Sequence, residues 1–198
     1  MSHIALFHSV LGVRPGIEDA ATRLREAGHE TTVVDYYGGA SFDAYDGAGA
    51  FVEGVGFPTL MQRALDGVAD LPDGFLVAGF SNGGGMAEHV ALHRNVGGAV
   101  LISGTLPLEM LGATAWPAGL PVQIHATLGD PLRRQDWTDA LVGAVRAAGA
   151  PLEQYDYPGA GHLFTDPSLP DEYDPVATGQ LWTRVLAFSE TTDAGSAA

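Results

Sequence analysis

The chain of 198 residues contains no cysteine and no lysine, and its nine basic residues are all arginine. The absence of cysteine excludes disulfide bonds, thiolate metal ligands and a cysteine nucleophile. The absence of lysine excludes Schiff-base chemistry and the phosphate-binding lysine of a P-loop. The glycine run at residues 83–85 therefore cannot belong to a nucleotide-binding P-loop.

Positive charge is scarce, and the formal net charge is -15. Nucleic acids and anionic membranes both require a basic surface, so neither is expected as a partner. No run of about 18 apolar residues occurs, and the start of the chain lacks the basic segment and cleavage site of a secretory leader. We therefore expect a soluble, cytoplasmic protein.

The composition, with 46% hydrophobic and 17% charged residues, suits one compact domain. We predict this domain over residues 1–190, followed by a small, polar and disordered tail over residues 191–198. Strand and helix patterns alternate within the domain. The predicted strands cover residues 4–7, 31–35, 75–78, 99–103, 122–127 and 152–157, and the predicted helices cover 17–27, 58–68, 82–93, 135–148 and 175–188. This alternation predicts a single-domain α/β fold with a mostly parallel central sheet of about six strands and helices on both faces.

A glycine-rich segment at residues 37–56 separates the second strand from the next helix. It contains Phe42, Tyr45 and Phe51 but shows no clear periodicity. A long loop in a compact domain is often functional. We predict a loop here that acts as a lid or a wall of the substrate site.

The pentapeptide Gly79-Phe80-Ser81-Asn82-Gly83 follows a predicted strand and opens a predicted helix. In that setting G-x-S-x-G forms a nucleophile elbow, a tight turn that exposes the serine hydroxyl at the edge of the sheet. The motif alone is weak evidence, because a chain with 27 glycines produces such matches by chance. Ser81 is therefore a candidate nucleophile that needs a base and an acid.

Both groups follow Ser81 along the chain, each just after a predicted strand. Asp130 is the candidate acid and His162 the candidate base; read separately, they could be a turn residue and a loop histidine. Open α/β sheets place their active sites at the carboxyl ends of strands, so the agreement of all three positions favours the catalytic interpretation. Serine, then acid, then histidine is also the order found in α/β-hydrolases. Asp136 and Asp166 are the next candidates for the acid.

An acyl-transfer site also needs donors for the negative charge that develops on the carbonyl oxygen. The backbone N–H of Asn82, at the start of the helix after Ser81, is the first predicted donor. The second is a backbone N–H in the loop after the first strand, and we predict Val10.

Other polar residues are open to two interpretations. Glu88, His89 and His93 have a spacing that faintly resembles a zinc motif, but the glutamate precedes the first histidine and no third ligand is evident. We therefore expect no metal and no cofactor. The remaining candidates are His8 and His125 as pocket-wall or hydrogen-bonding residues, Arg133 and Arg134 as partners of a substrate carboxylate or as solvated surface groups, and Trp116 and Trp137 as core or pocket residues.

Four segments of the chain resemble the dienelactone hydrolase family of α/β-hydrolases: HSVLGV at 8–13, GFSNGG at 79–84, HATLGDP at 125–131 and YPGAGHLFTDPSLPDEYD at 157–174. The resemblance extends over nearly the whole chain, and the last segment is its most specific part. It implies an α/β-hydrolase fold with Ser81 as nucleophile, Asp130 as acid and His162 as base.

Two departures from the family pattern stand out. The founding members have a cysteine in the elbow, where this chain has Ser81, and a glutamate at the position that matches Ser9. Losing both together is coherent, because a serine activated by histidine does not need that glutamate, and it argues against dienelactone itself as the substrate. The family's antiparallel N-terminal strands have no counterpart in the sequence, so we expect a smaller sheet.

The sequence therefore predicts a serine hydrolase that cleaves a small-molecule ester or lactone through an acyl-enzyme. The alternatives are a carboxylesterase or thioesterase of another specificity, and a non-catalytic binding protein that keeps the fold. A homodimer is left open.

Overall fold

The computed structural model describes residues 1–196 and the side chains of residues 1–192. Strands and helices alternate along most of the chain, as the hydrophobic pattern predicts. In chain order the elements are β1 (His3–Phe7), α1 (Pro15–Glu26), β2 (Glu30–Val34), α2 (Tyr45–Val55), α3 (Phe57–Asp66), β3 (Leu76–Phe80), α4 (Asn82–His93), β4 (Gly98–Ile102), a 3-10 turn (Leu108–Leu111), β5 (Val122–Thr127), α5 (Gln135–Ala147), β6 (Leu152–Tyr157) and α6 (Pro175–Ser196).

The six strands form one sheet in the order β2-β1-β3-β4-β5-β6, and every neighbouring pair is parallel. The chain first moves from β1 outward to β2 and then returns to place β3 on the other side of β1. The strand order therefore reverses between β1 and β3, and open α/β sheets bind their ligands beside such a switch point. The predicted fold class is confirmed.

Both faces of the sheet are covered by helices because the central strands β1, β3 and β4 are apolar on both sides. On β4, Ala99 and Leu101 pack in a cluster with residues of α3, α4 and α5, whereas Val100 and Ile102 pack in a second cluster with α1 and α6. All four side chains are at most 2% exposed. The sheet is thus a rigid central layer, and its carboxyl-terminal edge holds the loops after the strands.

The prediction of a long loop over residues 37–56 is wrong, because the second half of this segment forms α2. Glycines at 47, 49 and 54 lower the helix propensity and hide the helical pattern. Tertiary packing compensates for them: Ala48 is fully buried in a cluster with Leu11 and Leu163, and the Phe51 ring lies 4.8 Å from the Tyr37 ring.

The last helix is longer than predicted, since α6 continues past Phe188 to Ser196. The tail predicted over 191–198 thus overlaps α6, and its last two residues lie outside the described residues. Within the described part of the chain, no helix is both long enough and apolar enough to cross a membrane.

The turn between β3 and α4 depends on close backbone contacts that only glycine permits. A Cβ atom at Gly79 would overlap the carbonyl group of Gly83. A Cβ atom at Gly83 would in turn overlap the carbonyl oxygens of Phe7 and His8, at the end of β1. The first turn of α4 can therefore lie directly against the sheet, beside the loop that follows β1.

We predict that Gly83→Ala lowers the free energy of unfolding by about 3 kcal/mol, because the new methyl group meets backbone atoms that cannot move aside. Gly143→Ala is the matched control, since the Cβ position on α5 faces open space and alanine favours the helix by about 0.5–1 kcal/mol. Urea denaturation followed by circular dichroism measures both changes. Equal stability of the two variants would contradict the proposed packing of the turn.

Candidate active site

Ser81 lies at the turn between β3 and α4 with φ 54° and ψ -116°. A positive φ is unusual for a residue with a side chain and costs about 1–3 kcal/mol. The surrounding backbone holds this conformation: the Ser81 N–H donates to the carbonyl of Ile102 at 2.7 Å, and the Ser81 carbonyl accepts the N–H of Gly84 at 2.8 Å. The hydroxyl thus projects from a fixed turn at the carboxyl end of the sheet.

His162 joins Ser81 to Asp130 through two short hydrogen bonds. Its Nε2 atom lies 2.6 Å from Ser81 Oγ, and its Nδ1 atom lies 2.7 Å from Asp130 Oδ2. Since a carboxylate can only accept, Nδ1 carries the proton and Nε2 accepts the hydroxyl of Ser81. The second oxygen of Asp130 accepts the N–H of Leu132 at 2.8 Å, which fixes the carboxylate. This arrangement can remove a proton from a nucleophile and return it to a leaving group.

The two other candidate acids lie elsewhere. Asp136 pairs with Arg134 at 2.7 Å on the surface of α5. Asp166 lies 3.6 Å from Arg14 Nε and accepts the hydroxyl of Ser168 at 2.7 Å. The structure therefore places Asp130, and neither alternative, beside the predicted base.

The two predicted N–H donors have no acceptor among the described residues. Asn82 is the first residue of α4, and its side-chain amide donates to the Tyr37 hydroxyl at 3.3 Å. In the loop after β1, the Ser9 carbonyl accepts the N–H of Gly12 at 3.0 Å. The Ser9 hydroxyl accepts the N–H of Leu11 at 3.2 Å. These bonds leave the N–H of Val10 unpaired between them.

A cavity of about 250 Å³ opens beside Ser81 and His162. Its walls are mostly apolar and include Phe57, Leu106, Ile124, Leu132 and Trp137. The volume is at the small end for ligand pockets. It can therefore hold a compact apolar group next to the serine.

Arg133 and Arg134 also line this cavity, but each already has a carboxylate partner. Arg133 pairs with Asp156 on β6 at 2.7 Å, and Arg134 pairs with Asp136 at 2.7 Å. The guanidinium of Arg134 also lies over the Trp137 ring, 4.2 Å from its centre. The positive charges at the cavity are thus balanced within the protein.

His8 and His125 are buried and hydrogen-bonded. Burial lowers the pKa of His8 to about 4 and that of His125 to about 3, so both rings are neutral near pH 7. His8 Nδ1 donates to the Ser9 carbonyl at 2.7 Å, while the His125 ring bonds with Tyr157 and Gln123 at 2.8 Å each. His8 and His125 are therefore buried hydrogen-bonding residues.

The two candidate tryptophans differ in their surroundings. Trp116 is a core residue whose indole N–H donates to the carbonyl of Leu120 at 2.9 Å. Trp137 is half-buried and contributes to the cavity wall. Only Trp137 can therefore contact a bound ligand directly.

The residues that resembled a zinc motif make other contacts. Glu88 is fully buried, accepts the N–H of Leu106 at 2.9 Å, and has its pKa raised by burial. His93 Nδ1 donates to the carbonyl of His89 at 2.8 Å. Burial, and then the neighbouring His93, lower the pKa of His89 to about 4. Within the part of the chain that the structure describes, no three histidine, aspartate or glutamate side chains are grouped closely enough to hold a metal ion.

Ser103 is a site residue that the sequence analysis missed. It follows β4 and lines the cavity together with Ser81, has φ 57°, and keeps a buried hydroxyl without a partner among the described residues. Gly104 follows it, and a Cβ atom there would overlap the carbonyl group of Ser81. The only sequence signal was the small size of two consecutive residues at a strand end.

Comparison with solved structures finds the same fold in several hydrolases. A dienelactone hydrolase-like promiscuous phosphotriesterase from metagenomic libraries is 23% identical, with a TM-score of 0.77 over 96% of this chain and 86% of the other. Alpha/beta hydrolase domain-containing protein 10 from mouse is 13% identical, with a TM-score of 0.70 over 96% and 90%. A dienelactone hydrolase from Anabaena variabilis is 17% identical, with a TM-score of 0.65 over 94% and 84%.

Comparison with curated protein sequences finds no significant match. The sequence profile of the dienelactone hydrolase family, in contrast, matches residues 2–192, which is nearly the whole chain. The six-stranded parallel sheet agrees with that match. This chain belongs to the dienelactone hydrolase family and is a hydrolase with the α/β-hydrolase fold.

Proposed function

We propose that this protein is a serine hydrolase that cleaves small, uncharged esters or lactones through an acyl-enzyme. The observation that carries the proposal is the continuous chain of hydrogen bonds from Ser81 Oγ through His162 to Asp130, at 2.6 Å and 2.7 Å. These hydrogen-bonded residues line the apolar cavity, and the protein belongs to a hydrolase family.

In the proposed acylation step, Ser81 Oγ attacks the ester carbonyl carbon while its proton passes to His162 Nε2. Asp130 keeps the ring in the correct tautomer and stabilises the imidazolium that forms. His162 then gives the proton to the departing alkoxide, as the bond between the carbonyl carbon and that oxygen breaks. Water repeats the sequence on the acyl-enzyme, releases the acid and restores Ser81.

The negative charge on the carbonyl oxygen is proposed to be held by the free N–H groups of Asn82 and Val10. The Asn82 group also lies at the N-terminus of α4, where the helix dipole favours an anion. Each such donor contributes about 3–4 kcal/mol to transition-state stabilisation in comparable sites.

The charges around the cavity support an uncharged acyl group. Arg133 and Arg134 are each paired with a carboxylate, so a substrate carboxylate would have to share its arginine with Asp156 or Asp136. The formal net charge of -15 also disfavours the approach of anions. The cavity volume of about 250 Å³ suits a short or medium acyl chain.

We predict that a fluorophosphonate reagent labels Ser81 covalently, because His162 increases the nucleophilicity of the hydroxyl. Intact-protein mass spectrometry should show one adduct on the native protein. Ser81→Ala should show neither the adduct nor ester hydrolysis, and Ser103→Ala, which removes the neighbouring hydroxyl, should still be labelled. An adduct that persists in Ser81→Ala would place the nucleophile elsewhere, and a native protein that is neither labelled nor active would favour a binding function.

We predict that Asp130→Asn lowers kcat about 10⁴-fold while leaving the fold intact, because an amide no longer fixes the histidine tautomer. Asp136→Asn serves as the matched control and should retain nearly full activity, since this carboxylate is on the surface. Steady-state kinetics and thermal melting of both variants provide the test. Similar losses in the two variants would exclude the assigned role of Asp130.

We predict that kcat/KM falls at least about tenfold between p-nitrophenyl butyrate and p-nitrophenyl palmitate, because the sixteen-carbon acyl chain exceeds the cavity volume of about 250 Å³. Trp137→Ala enlarges the cavity and should reduce this ratio. Val176→Ala, which shortens an exposed side chain 68% accessible to solvent, should not. A set of lactones and thioesters measured in parallel distinguishes the cyclic ester, linear ester and thioester alternatives. If the native protein, Trp137→Ala and Val176→Ala all show the same preference for acyl-chain length, the proposed acyl pocket is contradicted.

A further inference from the structure

The loop that carries His162 also carries Glu172, which contacts the residues on both sides of the histidine. The carboxylate Oε2 of Glu172 accepts the N–H of Leu163 at 2.6 Å. On the other side, a Cβ atom at Gly161 would overlap the backbone carbonyl of Glu172. Glu172 therefore limits the movement of the backbone immediately before and after His162.

The second carboxylate oxygen of Glu172 is held from a different part of the fold. Tyr45, the first residue of α2, donates its hydroxyl to Glu172 Oε1 at 2.7 Å. The Tyr45 ring contacts His162 edge-on, with the ring centres 6.2 Å apart. Burial, followed by the hydrogen bond to Glu172, raises the pKa of Tyr45, so the hydroxyl stays a donor across the neutral range.

The fold of the loop does not itself require these two bonds. Backbone hydrogen bonds already close it, from Asp166 to Leu163 and from Asp174 to Phe164, each at 2.9 Å. The carbonyl of Gly161 is held by the Thr127 hydroxyl at 2.8 Å. The carboxylate of Glu172 therefore adds a restraint at one place, the peptide that follows His162.

We propose that Glu172 is a positioning residue for His162 and that Tyr45 fixes the Glu172 carboxylate for that task. The inference rests on the proposed function of His162 as the base. Glu172 touches no reacting atom and acts through the Leu163 N–H. Charge-assisted hydrogen bonds are short and directional, and a misplacement of about 1 Å in a catalytic group can cost 10²-fold in rate.

The kinetic test uses Glu172→Leu and Tyr45→Phe. Leucine has a similar volume but no acceptor oxygen, so the Leu163 N–H and the Tyr45 hydroxyl both lose their partner. We expect kcat to fall about 30-fold in Glu172→Leu and about fivefold in Tyr45→Phe, with KM changed by less than about twofold, because positioning affects the proton transfer more than substrate binding. The double variant should be no worse than Glu172→Leu, since both changes act through one carboxylate.

The chain offers a matched control in a second tyrosine–glutamate pair. On β6, the Tyr155 hydroxyl donates to Glu153 Oε2 at 2.8 Å, at an exposed position. Tyr155→Phe removes the same type of bond as Tyr45→Phe and should leave kcat unchanged. A comparable fall in kcat in this control variant would overturn the assignment.

A second measurement reads the position of His162 without any substrate. The Nδ1 proton shared with Asp130 gives a low-field NMR signal whose shift and exchange rate depend on the geometry of that bond. We expect Glu172→Leu to shift or broaden the signal, and Tyr155→Phe to preserve it. If the proposed function fails, Ser81→Ala hydrolyses the ester fully. The NMR signal needs no substrate, so it still shows in that case whether Glu172 positions His162.

The purely structural alternative has a different outcome. If Glu172 only stabilises the loop, Glu172→Leu lowers the melting temperature while kcat per folded molecule and the proton signal stay unchanged. That result overturns the proposal. If Glu172→Leu does not fold, Tyr45→Phe, which keeps the aromatic ring and the bond between Glu172 and the Leu163 N–H, decides the question by the same two measurements.

Discussion

The contact of backbone against backbone around Ser81 is the constraint on which the rest of the site depends. Three glycines make it possible: Gly79 against Gly83, Gly83 against the end of β1, and Gly104 against Ser81 itself. Any side chain at these positions would separate α4 from the sheet. The same contacts place the loop after β1 beside the N-terminus of α4, so the strained serine and both free N–H groups come from one packing arrangement.

The order of the strands explains how residues distant in sequence meet at the serine. Ser81 follows β3, whereas Asp130 and His162 follow β5 and β6, so β4 lies between them. Neighbouring strands are about 4.8 Å apart, which puts the serine and the aspartate roughly 10 Å from each other. The imidazole of His162 can contact both residues only if the residues after β4 do not fill the space between them. Ser103 and Gly104, two small residues in that position, leave the necessary space.

The sequence was informative where the signal is local. Strand β5 is a mostly buried run between Pro121 and Gly129, and the more exposed β6 is bounded by prolines at 151 and 158. The predicted and observed limits of both strands coincide. Asp130 and His162, which follow these two strands, could be identified for the same reason. Helix α2 could not, because glycines mask its pattern and contacts with Leu11 and Leu163 stabilise it. The bond between Tyr45 and Glu172 joins residues 127 positions apart, so no sequence window contains both.

The distribution of charge suggests how an acidic protein without lysine can stabilise a developing anion. Both arginines at the cavity are paired with carboxylates, and burial keeps His8 and His125 neutral. The favourable potential at the proposed oxyanion position must therefore come from oriented backbone N–H groups and the dipole of α4. Fixed dipoles need no counter-ion and do not attract anionic ligands over long distances. Such a site fits the proposed substrate, a neutral ester whose negative charge appears only after the proposed attack by Ser81.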